Sequence, residues 1–139
     1  MVRMAITYTG GLHCSAVHGP SGERVQTDAP VDHQGKGECF SPTDLVATAL
    51  GSCMATIMGI VAERHGLNLQ GMLVEVEKEM TRESPRRIAR LAAQIHVPLP
   101  PTCPQRELLE KAARGCPVHH SLHPAIDKPI CFHWVGKEG

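Results

Sequence analysis

From Leu45 to Ala62 the sequence LVATALGSCMATIMGIVA carries no charged residue. Its start is marked by Ser41-Pro42-Thr43-Asp44. Ser41 suits the N-cap, Pro42 the first helical position, and Asp44 the return bond of a capping box. His65-Gly66 marks the end, because glycine takes the left-handed conformation that stops a helix. A helix over 41–65 is predicted, about 35 Å long at 1.5 Å per residue. It is apolar all round, so it needs cover on every side, from this chain or from a second copy. A membrane span competes, since the run only just reaches the lower length for crossing a bilayer. About half of the run is Ala, Gly, Ser, Thr or Cys, and no second span follows. Small residues let other backbone approach closely, which favours a central packed helix over a membrane span.

Around this helix the pattern is mostly that of strands. RMAITYT, LHCSAVH and ERVQTD are short runs separated by Gly10-Gly11 and Gly19-Pro20-Ser21-Gly22, which is hairpin punctuation. APVDHQGKGEC, from Ala29 to Cys39, has neither period and reads as a loop, long enough to suggest a functional one. MLVEVEKEM sets Met72, Val74 and Val76 against Glu75, Glu77 and Glu79. RRIARLAAQIHV alternates likewise and pairs with it as a hairpin. QRELLEKAAR forms a helix closed by Gly115, Cys116-Pro117 opens a short helical turn, and PICFHWV is a last strand with Ile130, Phe132 and Trp134 on one face. The class is α+β, in one domain over 1–139.

Lys and Arg number 14, Asp and Glu 14, and only four residues are aromatic. Without a basic run or stacking platforms, nucleic acid is not an expected partner. MVRMAITYTGG has no apolar segment or cleavage site, so a cytoplasmic location is expected. Cysteines stay reduced in that compartment, and the six here are then buried, catalytic or metal-binding. Cys14, Cys39, Cys103 and Cys131 read as buried small hydrophobes. Cys116 stands where a helix begins, and backbone N–H groups there lower a thiol's pKa. Cys116, His119 and His123 share one helical face and raise a Cys/His metal-binding reading, but no CxxC pair completes a tetrahedral set. No metal or other cofactor is expected. Cys53, in the middle of its helix, reads on periodicity alone as core.

GECFSPTDLVATALGSCMATIMGIVAERHGL, followed by GCPVHHSLHPAI, resembles the OsmC/Ohr family of peroxide-reducing proteins. That family has a Pro-led helix start, an Ala-rich helix with a cysteine about eleven residues on, and a second cysteine in a late Cys-Pro dipeptide. Pro42, Cys53 and Cys116-Pro117 fit. The resemblance covers nearly the whole chain. It implies antiparallel sheets wrapped around long central helices in an intertwined homodimer, whose helices pack back to back. It also implies a thiol-dependent peroxidase acting on organic hydroperoxides and hydrogen peroxide. Cys53 would be the peroxidatic thiolate, Cys116 the resolving thiol, and an external dithiol the reductant. The family start Asn-Pro-Glu or Ser-Pro-Glu reads Ser-Pro-Thr here, with Thr43 in the place of the Glu. VDHQGKGEC holds no arginine, so the cation beside the thiolate falls to His33, Lys36 or Arg24. A non-enzymatic member of the fold, binding a small apolar ligand at the dimer interface, is the alternative.

Overall fold

The structure is a computed structural model that describes residues 1–138. The chain falls into two compact units, Met1–Val46 and Ala47–Gly139.

The first unit is a meander of three antiparallel strands, β1 (Met4–Gly10), β2 (His13–His18) and β3 (Arg24–Asp28), in that order. Gly10 and Gly11 turn the chain at φ 91° and 62°, a left-handed region that a side chain resists. The second turn closes through the Gly22 amide, which donates to the His18 carbonyl at 2.7 Å. Register places His13 opposite Asp28 and Cys14 opposite Thr27. The loop after β3 holds a 3-10 turn at Val31–His33 and is tied back to the sheet. Asp28 N–H donates to the Phe40 carbonyl at 3.1 Å and Ala29 N–H to that of Leu12 at 3.2 Å. Gly35 is required in this loop, because a Cβ there would overlap the Ala29 carbonyl.

Helix α1 (Pro42–Arg64) begins in the first unit and continues in the second. Its start is the predicted capping box: Asp44 N–H donates to Ser41 Oγ at 3.1 Å, and Ser41 N–H donates to Asp44 Oδ2 at 2.9 Å. Gly66, at φ 66°, ends it, with Leu67 N–H reaching back to the Ala62 carbonyl at 2.9 Å. Within one chain, α1 is covered on one side only. Ala47, Leu50, Gly51, Met54, Met58 and Ala62 are buried, whereas Thr48, Ala49, Ser52, Thr56 and Ile60 are exposed. Among the described residues it is also the one helix long and apolar enough to cross a bilayer, with a mean hydropathy of 2.0.

The second unit is a sheet of β4 (Leu73–Met80), β5 (Ile88–Val97) and β6 (Ile130–Trp134), in that order. Helices α2 (Arg106–Arg114) and α3 (Pro117–Ser121) lie between β5 and β6 in sequence. The α1 backbone comes close to β4 at Gly51, where a Cβ would stand 3.1 Å from Val76 and 3.3 Å from Val74. Leu50, Met54, Met58, Leu91, Ile95 and Leu109 are fully buried, each contributing about 1.5–3 kcal/mol of transfer free energy. Trp134 fixes β6 to α2 by donating its indole N–H to Glu110 at 2.9 Å, under the Arg106 guanidinium.

Two expectations need correction. β6 pairs with β5 in parallel, Ala93 opposite Ile130 through Val97 opposite Trp134, so not every pairing is antiparallel. The connection from β5 carries two helices, and a crossover of that length returns the chain to the same end of the sheet, where a tight hairpin would reverse it. Cys131, expected to be buried, faces outward from β6 and is exposed, because it alternates with the inward Ile130, Phe132 and Trp134.

Candidate active site

Cys53 is carried midway along α1 and is half-buried, beside the fully buried Met54. Cys116 arrives from the crossover. Gly115 terminates α2 with its amide shared between the Lys111 and Ala112 carbonyls at 3.1 Å each, and Cys116 then takes an extended conformation as N-cap of α3. Pro117 follows at the first helical position, where its missing N–H is harmless. Cys116 is fully buried, and its sulfur accepts the His119 N–H at 3.3 Å.

Cys53 lies near enough to Cys116 to act on its titration. The two sulfurs singled out in the sequence are thus brought together, from a helix and from a crossover segment distant in the chain. The protonation of Cys116 departs from expectation. Burial pushes its thiol up, the His119 N–H only partly offsets this, and Cys53 pushes it further up. A five-residue helix with proline at its start supplies too little positive end to outweigh the loss of solvent. Cys116 is therefore held as a neutral thiol.

The histidines near Cys116 do not assemble with it into a metal site. His119 contributes its backbone N–H to the sulfur, and its imidazole is pushed toward the neutral form by burial, by Lys128 and by His120. His123 Nδ1 instead accepts the Ala125 N–H at 3.0 Å. Among the described residues, one group of three brings ligand-type atoms within 4.8 Å of one another, and it is elsewhere: His13, Asp28 and Glu38. Sequence reasoning missed this group. The signal was the register of the β2–β3 hairpin, which sets His13 across from Asp28, together with the long loop that delivers Glu38.

Thr43 lies 3.2 Å from Ser41, hydroxyl to hydroxyl, and the Asp44 carboxylate is taken up by the cap. Arg24, His33 and Lys36 belong to the first unit and are exposed. Cys103 is buried with its thiol 3.6 Å from Gln105 Oε1, while Cys14 and Cys39 are half-buried where full burial is expected.

Residues 35–128 match the model of the OsmC family of OsmC-like proteins. A protein from Psychrobacter arcticus, named for osmotic stress induction and detoxification response, is 41% identical over 96% of each chain and superposes with a TM-score of 0.90. Two more distant structures share the fold. An organic hydroperoxide resistance protein OsmC from Legionella pneumophila is 19% identical, with a TM-score of 0.70 over 96% of this chain and 97% of its own. An organic hydroperoxide resistance protein from Vibrio cholerae, with captopril in one of its active sites, is 17% identical, with a TM-score of 0.74 over 96% and 92%. No curated protein matches the chain. Its helix start, its cysteine-bearing helix and its Cys-Pro segment all fall within the matched span, and the protein belongs to the OsmC/Ohr family.

Proposed function

We propose that the protein is a thiol-dependent peroxidase that reduces organic hydroperoxides in the cytoplasm, with Cys53 as the attacking thiolate and Cys116 as the resolving thiol. The observation that carries this reading is the nearness of Cys53 to Cys116, close enough for one thiol to act on the titration of the other. The Cys53 thiolate attacks the outer oxygen of ROOH, the O–O bond breaks, and the alkoxide leaves with a proton as ROH. Cys53 is then a sulfenic acid. The neighbouring Cys116 attacks its sulfur, water leaves, and a Cys53–Cys116 disulfide forms before a second peroxide can carry the sulfur to the irreversible sulfinic state. An external dithiol reduces the bridge by exchange and becomes a disulfide itself. The buried, neutral Cys116 is unsuited to the first step, since a thiol must ionise to attack peroxide; in the second, its proton leaves with the sulfenic oxygen as water.

The working form is a homodimer joined through α1. The exposed stripe Thr48, Ser52, Thr56 and Ile60 lies within the uncharged run. Thr56 turns its hydroxyl inward to the Ser52 carbonyl at 2.8 Å, which lowers the cost of burying it against a second helix. The thiolate needs a cation, and alanine at Arg24, His33 and Lys36 in turn identifies it. The direct test is consumption of an organic hydroperoxide with a dithiol as reductant. Turnover that requires Cys53 supports the reading. Peroxide that is not consumed overturns it and favours a non-enzymatic protein binding a small apolar ligand.

A further inference from the structure

We propose a second site, in the first unit: a divalent transition-metal site formed by His13 Nε2, Asp28 Oδ1 and Glu38 Oε2. His13 and Asp28 face each other across the β2–β3 register, and Glu38 is brought in by the loop that follows β3. His13 Nε2 stands 3.5 Å from Asp28 Oδ1 and 3.5 Å from Glu38 Oε2. Charge-assisted hydrogen bonds between such groups close to about 2.7–2.9 Å. Donor atoms around a tetrahedral ion with bonds of about 2.0–2.2 Å stand about 3.3–3.5 Å apart instead. The two distances from His13 are those of ligands sharing an ion, and all three donor atoms lie within 4.8 Å of one another.

The second observation is independent of the spacing. Asp28 is 1% exposed, and its Oδ1 has no hydrogen-bond partner while buried. Such an atom is costly to leave unpaired. Its other oxygen is satisfied by the Glu38 N–H at 3.0 Å, which also fixes the carboxylate plane and aims Oδ1 at the imidazole. A metal ion completes the coordination of Oδ1 and ties the loop to the sheet.

One imidazole and two carboxylates suit zinc, cobalt or iron in the divalent state. Three protein ligands leave a fourth position for water. His13 also lines a surface depression with Thr9, Gly10, Cys14, Ser15 and Gln26. The site shares no residue with the cysteine pair, so its existence does not depend on peroxidase activity.

The test is titration of chelator-treated, fully reduced protein with Co²⁺. One ion per chain is expected, with visible d–d bands and without thiolate-to-cobalt charge transfer, and a raised melting midpoint. Glu38→Gln and His13→Gln should each weaken binding by roughly tenfold or more. Glu38 is half exposed and keeps its backbone bond to Asp28 in the variant, so it folds as the parent does, as circular dichroism will verify. No binding, a thiolate signature, or undiminished binding in both variants overturns the site.

Discussion

Cys116 caps α3 with a sulfur that accepts the His119 N–H and lies near enough to Cys53 to feel it, so the second thiol is positioned by a backbone N–H before any chemistry begins. Oxidation by one equivalent of organic hydroperoxide should therefore join Cys53 and Cys116 within one chain. Cys14, Cys39, Cys103 and Cys131 should remain thiols, as peptide mapping by mass spectrometry will read. Cys53→Ser should lose more than about 10³-fold in peroxide consumption, because a serine hydroxyl does not ionise near neutral pH. Cys116→Ser should retain a first turnover and then inactivate in proportion to peroxide. Parent-like consumption by both variants would show the pair to be core residues only.

Alkylation of the reduced protein should separate the same cysteines by environment. Exposed Cys131 should react ahead of half-buried Cys14 and Cys39. Cys116 should be among the last, since burial both shields it and raises its pKa above the ordinary 9.0. The protonated thiol is favoured by the fold, so its contribution to stability is complete below pH 9.0 and is lost as pH rises through the raised value. Iodoacetamide labelling followed over time gives the order, and fast labelling of Cys116 at neutral pH would contradict it.

His119 sets the opposite trend on the acid side. Its folded pKa lies below 6.5, so the unfolded chain takes up the proton first as pH falls. The contribution is present above pH 6.5 and is lost as pH drops through the folded value. Urea midpoints should decline below pH 6.5, and His119→Gln should flatten that decline. An unchanged slope in the variant would assign the acid sensitivity to another group.

The cap and the core carry separate predictions of stability. Ser41→Ala removes the acceptor of the Asp44 N–H and should cost about 1 kcal/mol. Met58→Ala empties a fully buried position on α1 and should cost about 2–5 kcal/mol. Chemical denaturation measures both, and comparable losses would mean that α1 is not packed as described.

Thr56→Arg places a charge on the exposed side of α1, in a stripe that would otherwise be uncharged. The parent should sediment as a dimer and the variant as a folded monomer of about 15.0 kDa. A monomeric parent would remove the homodimer from the proposal.

What was legible in the sequence was whatever local chemistry determines. Ser41, Asp44 and Gly66 announced both ends of α1, and the alternation of Val74 and Val76 with Glu75 and Glu77 announced β4. The direction of β6 was not legible, because alternation in Ile130–Trp134 is the same for either orientation and only the length of the crossover decides. Cys116 shows the same limit in its electrostatics. Its place at a helix start was readable, but the burial that reverses the helix's influence depends on distant segments. His13, Asp28 and Glu38 stayed hidden because they are far apart in sequence and belong to no motif.

The parallel pairing of β6 also bears on the order in which the chain matures. Ala93 and Ile130 are register partners across a crossover that must close before their strands can zip, and such long-range closure is slow. Helix α1, stabilised by contacts near in sequence, is ready earlier. Cys53 is therefore expected to wait for Cys116 during refolding, with the two sulfurs brought near each other only once the last strand docks. Pulse alkylation during refolding should find Cys116 accessible until β6 is in place and closed off thereafter.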